Sequence, residues 1–355
     1  MPESRKVLRQ SLWPLSFLWA AIAALRHWAF DVGWKRIEKV GVPVISVGNL
    51  SVGGTGKTPM VSWLVERLRS TSLEPAVVAR GYGRAEGAEL NDEGLLLDSK
   101  FEGLVQQQDP NRVLAARRTI ERGGVDVIVL DDGFQHRRLH RDTDIVLLDA
   151  MRPFAGGLCL PAGDLRETPG GLRRADLVVL TRAERLSDEA FRVWTEKLRR
   201  TARNESLPVF RATHAPVSVR LPGDSGSAED PSALRGRRVL LLSGIGRPKS
   251  FEQTILGLGA TVVGHVVKPD HHLHSPSEIE EFLARAETEG ALPVTTEKDH
   301  VKLGVQAPNV GVLHIGLRFL GAEPSLQQLG LATDAQATVH DSESPEEDLS
   351  AELHE

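Results

Sequence analysis

Residues 46–60 read Ser-Val-Gly-Asn-Leu-Ser-Val-Gly-Gly-Thr-Gly-Lys-Thr-Pro-Met. Just before them, Val42–Val47 (VPVISV) is a short β-branched run, the pattern of a buried strand. Just after, Pro59–Ser70 carries Met60, Val61, Leu64, Val65 and Leu68 at helical spacing. Strand, glycine-rich loop and helix together are the setting a phosphate-binding loop requires. The generic pattern G-x-x-x-x-G-K-[ST] fails at one position, its first glycine, where this chain has Ser51. The rest of the loop, Val52, Gly53, Gly54, Thr55, Gly56, Lys57 and Thr58, fits. Glycines let backbone N–H groups turn inward onto phosphate oxygens without Cβ clashes. Lys57 suits the β- and γ-phosphates, the Thr58 hydroxyl suits Mg²⁺, and Pro59 suits a first helical turn whose N–H needs no acceptor. The competing reading is a glycine-rich strand-to-helix turn with a chance Lys-Thr.

A second element supports the phosphate reading. Val127–Asp132 (VIVLDD) is an apolar strand ending in two carboxylates, as a Walker-B strand does, and Asp131 or Asp132 is placed to hold the metal. Further apolar runs at Ala76–Ala79, Asp144–Leu148 and Leu177–Leu180 are continuous rather than alternating, which indicates parallel strands covered on both faces. The expected fold class is α/β: a P-loop NTPase-type parallel sheet covered by helices on both faces, with a second, smaller α/β domain and an N-terminal amphipathic helix. The expected segments are an N-terminal helix over 1–36, a nucleotide-binding domain over 37–215, a linker over 216–237 centred on the turn-rich LPGDSGSAEDPS, a smaller domain over 238–330, and a tail over 331–355. In the smaller domain, strands are expected from Arg238, over Thr261–Val267 and over Val310–Ile315, with a helix over Ser277–Glu287.

Composition narrows the setting. A single cysteine, Cys159, excludes an intrachain disulfide framework and a cysteine-rich metal site. The net charge of −5 is uneven, because residues 334–355 hold eight acidic side chains and no Lys or Arg. That tail has little to bury and is expected to be disordered. Scattered arginines form no nucleic-acid footprint. Leu12–Leu25 (LWPLSFLWAAIAAL) is uncharged and flanked by Arg5, Lys6 and Arg9 before it and Arg26, Lys35 and Arg36 after it. It is too short to span a bilayer, which needs about 20 residues. Three readings stand: an interfacial helix with Trp13, Trp19 and Trp28 at headgroup depth, a helix packed on the core, and a signal peptide.

Other motifs carry weaker chemistry on their own. Asn91-Asp92-Glu93 reads as a polar turn, solvated or supplying a carboxylate that accepts a proton. Asp270-His271-His272-Leu273-His274 reads as a metal cluster, an acid–base site, or a loop before a helix capped by Ser275 or Ser277. In Leu160–Glu167 (LPAGDLRE), Arg166 can clamp a phosphate or pair with a carboxylate. Thr296–Leu303 (TEKDHVKL) is motif-like without an evident mechanism.

Taken in order, SVGNLSVGGTGKTP, ARGYGR, NDEGLLL, LDDGFQHRRLHRDTDIVLLDA, LPAGDLRE, GIGRP, PDHH and TEKDHVKL resemble the tetraacyldisaccharide 4'-kinase (lipid A 4'-kinase) family, from the N-terminal helix to about residue 330. In that family a small hydroxyl residue is usual at the position of Ser51. The resemblance implies ATP with Mg²⁺ as donor and a membrane-embedded acylated glucosamine disaccharide 1-phosphate as acceptor. It implies work at the cytoplasmic face of the inner membrane, with no nucleic acid and no obligate protein partner. It implies two α/β domains joined by a hinge, with the site in the cleft between them. Asp92 matches the proposed catalytic base and His271 the histidine thought to pair with it. Lys57 matches the loop lysine, Asp131 and Asp132 the Walker-B pair, and Arg166 and Glu167 residues lining the cleft. His136 lies in a matched stretch. One departure is local: where the family commonly has Gly-Asp-Glu-Pro, this chain has Asn91-Asp92-Glu93-Gly94. A nucleotide-dependent switch protein is the rival class, although no guanine-specific N-K-x-D motif is present. A membrane-surface adaptor that binds nucleotide without chemistry is another.

Overall fold

Val44–Asn49 forms strand β1, buried at all six positions because a parallel strand pairs with each of its edges and other elements cover both of its faces. The computed structural model to which it belongs describes residues 12–82, 84, 87–223, 228–270 and 272–331. Arg5, Lys6 and Arg9, Gly83 of ARGYGR, the centre of LPGDSGSAEDPS, His271 and the acidic tail lie outside the described residues. The other strands are β2 (Pro75–Ala79), β3 (Val105–Gln108), β4 (Val127–Asp131), β5 (Thr143–Asp149), β6 (Leu177–Thr181), β7 (Val209–Arg220), β8 (Arg238–Ser243), β9 (Thr261–Val267), β10 (Leu292–Thr296) and β11 (Gly311–Phe319). They join in one sheet in the order β3-β2-β4-β1-β5-β6-β7-β11-β10-β8-β9. Every described pairing is parallel except that of β7 with β11.

The α-helices of the described residues are α1 (Trp13–Asp31), α2 (Lys57–Arg69), α3 (Asp92–Lys100), α4 (Arg112–Glu121), α5 (Asp188–Ala202), α6 (Pro248–Gly257), α7 (Pro276–Thr288) and α8 (Glu297–His300). The two-residue period of the strands sorts side chains between two faces. Ile45 and Val47 of β1 pack with Met60, Leu64 and Leu68 of α2, whereas Val44 joins Ile128, Leu130 and α4's Val113 in a separate cluster. The second half repeats the plan: Val239 and Leu241 meet Phe251 and Ile255 of α6, and Leu240 and Leu242 meet Ile279 and Phe282 of α7. This is the α/β architecture expected, a mostly parallel sheet covered on both faces.

Strand β7 was not legible in the sequence, and the expected boundary at residue 215 falls inside it. Its first residues pair with β6, up to Leu180 beside Arg211, and the rest pair with β11 up to Arg220 beside Val312. Pro216 sits where the register slips between His314 and Ile315, so its missing N–H falls at an irregularity. Because β11 runs against β7, strands β8–β11 point opposite to β1–β7. Thr296, the last residue of β10, lies level with Leu313, itself opposite Val219. The carboxyl ends of both sets of strands therefore face each other across the stretch Ala212–Ser218, and carboxyl ends are where parallel sheets place their loops and ligands.

Helix α1 inverts the usual burial order. Ser16 and His27 are buried, while Trp13, Leu15, Phe17, Leu18, Trp19, Ile22, Leu25 and Trp28 are exposed. Among the described residues, no helix is long and apolar enough to cross a membrane.

Candidate functional site

The loop after β1 is stitched to the rest of the molecule on both sides. Val52 N–H donates to the Asp164 carbonyl and Arg166 N–H to the Leu50 carbonyl, each at 2.7 Å, with Ser51 bridged to Leu165. Asn49 Nδ2 donates to Thr55 Oγ1 at 2.8 Å, Thr181 Oγ1 to the Thr55 carbonyl at 2.9 Å, and Arg182 to the Gly54 carbonyl. Gly53 and Gly54 face open space, and Gly53 has φ +103°, so the backbone there is free to line a concave cradle. Gly56 is required on two counts: its φ is +91°, and a Cβ would come within 2.2 Å of His214 Nε2. Gly56 starts α2, which places Lys57 and Thr58 in the first turn, where a helix favours anions.

Strand β4 delivers the two carboxylates to the same edge. Lys57 Nζ is 3.5 Å from Asp132 Oδ1, and Arg166 Nη1 donates to both Asp132 oxygens at 2.7 and 2.8 Å. Burial by itself would raise the Asp132 pKa, but the Lys57 and Arg166 cations outweigh it and hold the carboxyl below its ordinary value. Asp132 has φ +50°, a left-handed conformation that only its neighbours' contacts maintain. Asp131 is in a different state. Burial first, and the negative charge of Glu93 next, push its carboxyl up to about 7, and its Oδ1 is buried without a hydrogen-bond partner.

Asn91-Asp92-Glu93 proves not to be a free turn. Asn91 caps α3, its side chain accepting from Gly94 N–H at 3.0 Å, and Asp92 and Glu93 occupy the first helical turn, where carboxylates are stabilised. Gln108 locks the cap, accepting from Asn91 N–H and donating to Asn91 Oδ1. Thr58 Oγ1 donates to Glu93 Oε1 at 3.3 Å, which brings the start of α3 onto the loop. Asp92 Oδ2 lies 2.9 Å from Lys302 Nζ, a side chain 3% exposed that arrives from beyond α8. Lys100 and Glu297 pair at 2.7 Å and Arg247 and Asp149 at 3.8 Å, so several ion pairs span the gap between the two sets of strands. Lys302, Gln108, Asp149, Arg182 and His214 were given no role from the sequence. Lys302 belongs to the TEKDHVKL motif, the one available signal for it.

Arg166 and Glu167 are neighbours with separate jobs. Arg166 faces Asp132, whereas buried Glu167 accepts from Arg174 and Gln135 and lies 3.3 Å from His27 Nε2 on α1. Trp19 Nε1 of α1 donates to the Arg166 carbonyl at 2.9 Å, and Ala162 N–H donates to Ser16 Oγ at 3.0 Å. The exposed apolar helix is thereby tied to the segment that positions Arg166. His136 is half-buried, its Nε2 shut from solvent and unpartnered, and that desolvation, reinforced by Arg112, lowers its pKa to about 4.

The residues fit a metal-bound nucleotide. A cradle bordered by open glycines with Lys57 beside it suits phosphate oxygens, and the unpartnered Asp131 oxygen with the nearby Thr58 hydroxyl and Asp132 suits a hard cation. Without that cation Asp131 is costly when ionised. Its folded pKa lies above the unfolded value, so its contribution to stability is present at low pH and is lost as pH rises through about 7. Asp131→Asn, which cannot ionise, is expected to melt higher than the native chain at pH 8, by about 2 °C or more, and to lose that advantage near pH 4. Nucleotide-free thermal melts at the two pH values check this.

The family model described as tetraacyldisaccharide-1-P 4'-kinase matches residues 8–333. The tetraacyldisaccharide 4'-kinase of Anaeromyxobacter sp. (strain Fw109-5) is 41% identical over 331 residues, 88% of each chain. That of Syntrophus aciditrophicus (strain SB) is 40% identical over 301 residues, 79% of this chain and 80% of the relative. Among solved structures, an LpxK from Aquifex aeolicus crystallised in complex with ATP superposes with a TM-score of 0.73 at 31% identity, across 91% of this chain and 97% of that one. This chain belongs to the tetraacyldisaccharide-1-P 4'-kinase family.

Proposed function

We propose that this protein transfers the γ-phosphate of ATP to the 4'-hydroxyl of tetraacyldisaccharide 1-phosphate, a step of lipid A biosynthesis. The observation that carries the reading is one edge that holds the Lys57 loop, the Asp131–Asp132 pair and the Asp92 carboxylate, with an exposed apolar helix tied to that edge. Residues 37–215 supply the nucleotide side and residues 238–330 the opposing wall, hinged about the β7–β11 ribbon. The loop amides of Ser51–Gly56 and Lys57 hold the triphosphate. Thr58, Asp131 and Asp132 would hold Mg²⁺, which supplies neutralising charge at the phosphates when bound. Arg166 keeps Asp132 ionised and oriented. Asp92 takes the proton of the 4'-hydroxyl as its oxygen attacks, and closure of the smaller half brings His271 toward Asp92 and excludes water.

Helix α1 lies at the cytoplasmic face of the inner membrane in this reading, its outward Trp13, Phe17, Leu18 and Ile22 among the acyl chains. A hollow of about 620 Å³ beside it is lined by Arg26, Lys35, Arg36, Arg138, His136, Glu38 and Phe30; Glu38 pairs with Arg138, which leaves Arg26, Lys35 and Arg36 as the cations suited to a sugar phosphate. The combined variant Trp13→Ser, Phe17→Ser, Leu18→Ser is expected to leave vesicles of anionic phospholipid in a sedimentation assay. Its KM for the lipid acceptor should rise at least about tenfold with its KM for ATP unchanged, since roughly 0.8 kcal/mol accompanies each buried CH₂. Full vesicle binding and an unchanged lipid KM would defeat the membrane part of the reading.

A further inference from the structure

We infer that His272, His274 and Glu278 form a binding site for a divalent transition-metal ion of imidazole preference, with Zn²⁺ as its representative. One ligand atom from each of the three lies within 4.8 Å of the others. Glu278 is held in place independently: it occupies the third position of α7 in a capping box with Ser275, whose N–H donates to Glu278 Oε2 at 2.9 Å. His272 Nε2 stands 3.0 Å from the same oxygen.

A helix-end hydrogen-bond network accounts for His272 and Glu278, because Lys268 Nζ also contacts Glu278 Oε1. It does not account for His274. That side chain is 1% exposed, and neither ring nitrogen has a hydrogen-bond partner. Burying an imidazole whose Nδ1 meets nothing and whose Nε2 has only a long contact with a carboxylate is costly, and such groups in folded proteins call for a specific explanation. His274 Nε2 faces Asp299 Oδ1 at 3.7 Å, and that oxygen is also buried without a hydrogen-bond partner. A carboxylate behind one nitrogen of an imidazole is the arrangement that orients metal-bound histidines, and it leaves Nδ1 for the ion. Two imidazoles and a carboxylate select Zn²⁺, Co²⁺ or Ni²⁺ over Mg²⁺ or Ca²⁺. The ion takes the place of the Lys268 ammonium at Glu278, so Lys268 competes with it. Occupancy ties the segment after β9 to α7. Asp299, behind His274, is 4.0 Å from Lys302, the partner of Asp92. The site thus adjoins the opposing wall of the cleft without belonging to the phosphate loop.

The test uses the full chain, stripped with chelator and free of nucleotide. Co²⁺ is titrated by equilibrium dialysis with metal analysis, and its visible absorption is recorded. One Co²⁺ per chain with a low-symmetry d–d spectrum is expected. His272→Ala and His274→Phe are each expected to weaken binding at least about tenfold, and Lys268→Ala to tighten it. His274→Phe refills the buried ring volume; should it fail to fold by circular dichroism, the part-exposed His272→Ala carries the result. Substoichiometric binding by the native chain would overturn the proposal. So would binding that His272→Ala and Lys268→Ala leave unchanged.

Discussion

Lys57→Ala is expected to lower kcat/KM for phosphoryl transfer by on the order of 10³-fold, the scale for removing one preorganised charge-stabilising donor. Lys57 is the cation in the first turn of α2, its side chain 14% exposed and 3.5 Å from Asp132. Transfer depends on positioning and charge stabilisation, Lys57 is the residue proposed to face the β- and γ-phosphates, and the neighbouring cations Arg166 and Arg182 are already engaged by Asp132 and by the Gly54 carbonyl. The fold, by contrast, tolerates the loss. Arg166 still pairs with both Asp132 oxygens, so no carboxylate is stranded, and the α2 core of Met60, Leu64 and Leu68 is untouched. Steady-state kinetics beside a thermal melt checks both halves. Activity within tenfold of native, at native stability, would remove Lys57 from the chemistry.

The second large effect is at Asp92. Asp92→Asn is expected to reduce kcat by about 10²–10⁴-fold, the usual range for a general base, with little change in the KM for ATP. Asn91 rather than Asp92 caps α3, so the helix start survives the substitution. The variant also weakens the contact with Lys302, which alone could loosen the two halves. Lys302→Met separates the roles. It breaks the same contact and keeps the carboxylate, so it should cost much less in kcat than Asp92→Asn does. Equal losses in the two variants would make Asp92 a structural tie instead of a base.

Some of this architecture could be read directly from the sequence. The β-branched run before Gly48 and the helical spacing after Lys57 announced β1 and α2, because hydrophobic period is a local property. Asp131 and Asp132 were visible for the same reason, as charges ending an apolar strand. Strand β7 was hidden by its mixed composition: Thr213, His214 and Pro216 break any two-residue pattern, and its stability comes from pairing with β11 about 100 residues later. The Asn91 cap left a readable trace, an Asn followed by two acidic residues and an apolar run, which signals a helix start more than a turn. The TEKDHVKL motif marked Lys302 but not its pairing with Asp92, and nothing marked His214 against Gly56, since both are contacts between distant segments. The outward apolar face of α1 was one of three readings left open, with Trp13, Trp19 and Trp28 placed outward. Its apolar run announced a helix, but only the tertiary contacts of Ser16 and His27 decide which side faces in. Asp92 and Glu167 drew their assigned roles from family resemblance, because a carboxylate on a solvated turn and one in an active site look alike in sequence.

A lipid acceptor for the phosphate is what separates a kinase from a nucleotide-hydrolysing switch. The direct measurement incubates the purified chain in detergent micelles with γ-labelled ATP, Mg²⁺ and tetraacyldisaccharide 1-phosphate, and follows label on a thin-layer plate alongside ADP. Label is expected in the lipid in step with ADP, and none without the acceptor. ADP formed at the same rate with no labelled lipid would contradict it and leave a nucleotide-hydrolysing switch in its place.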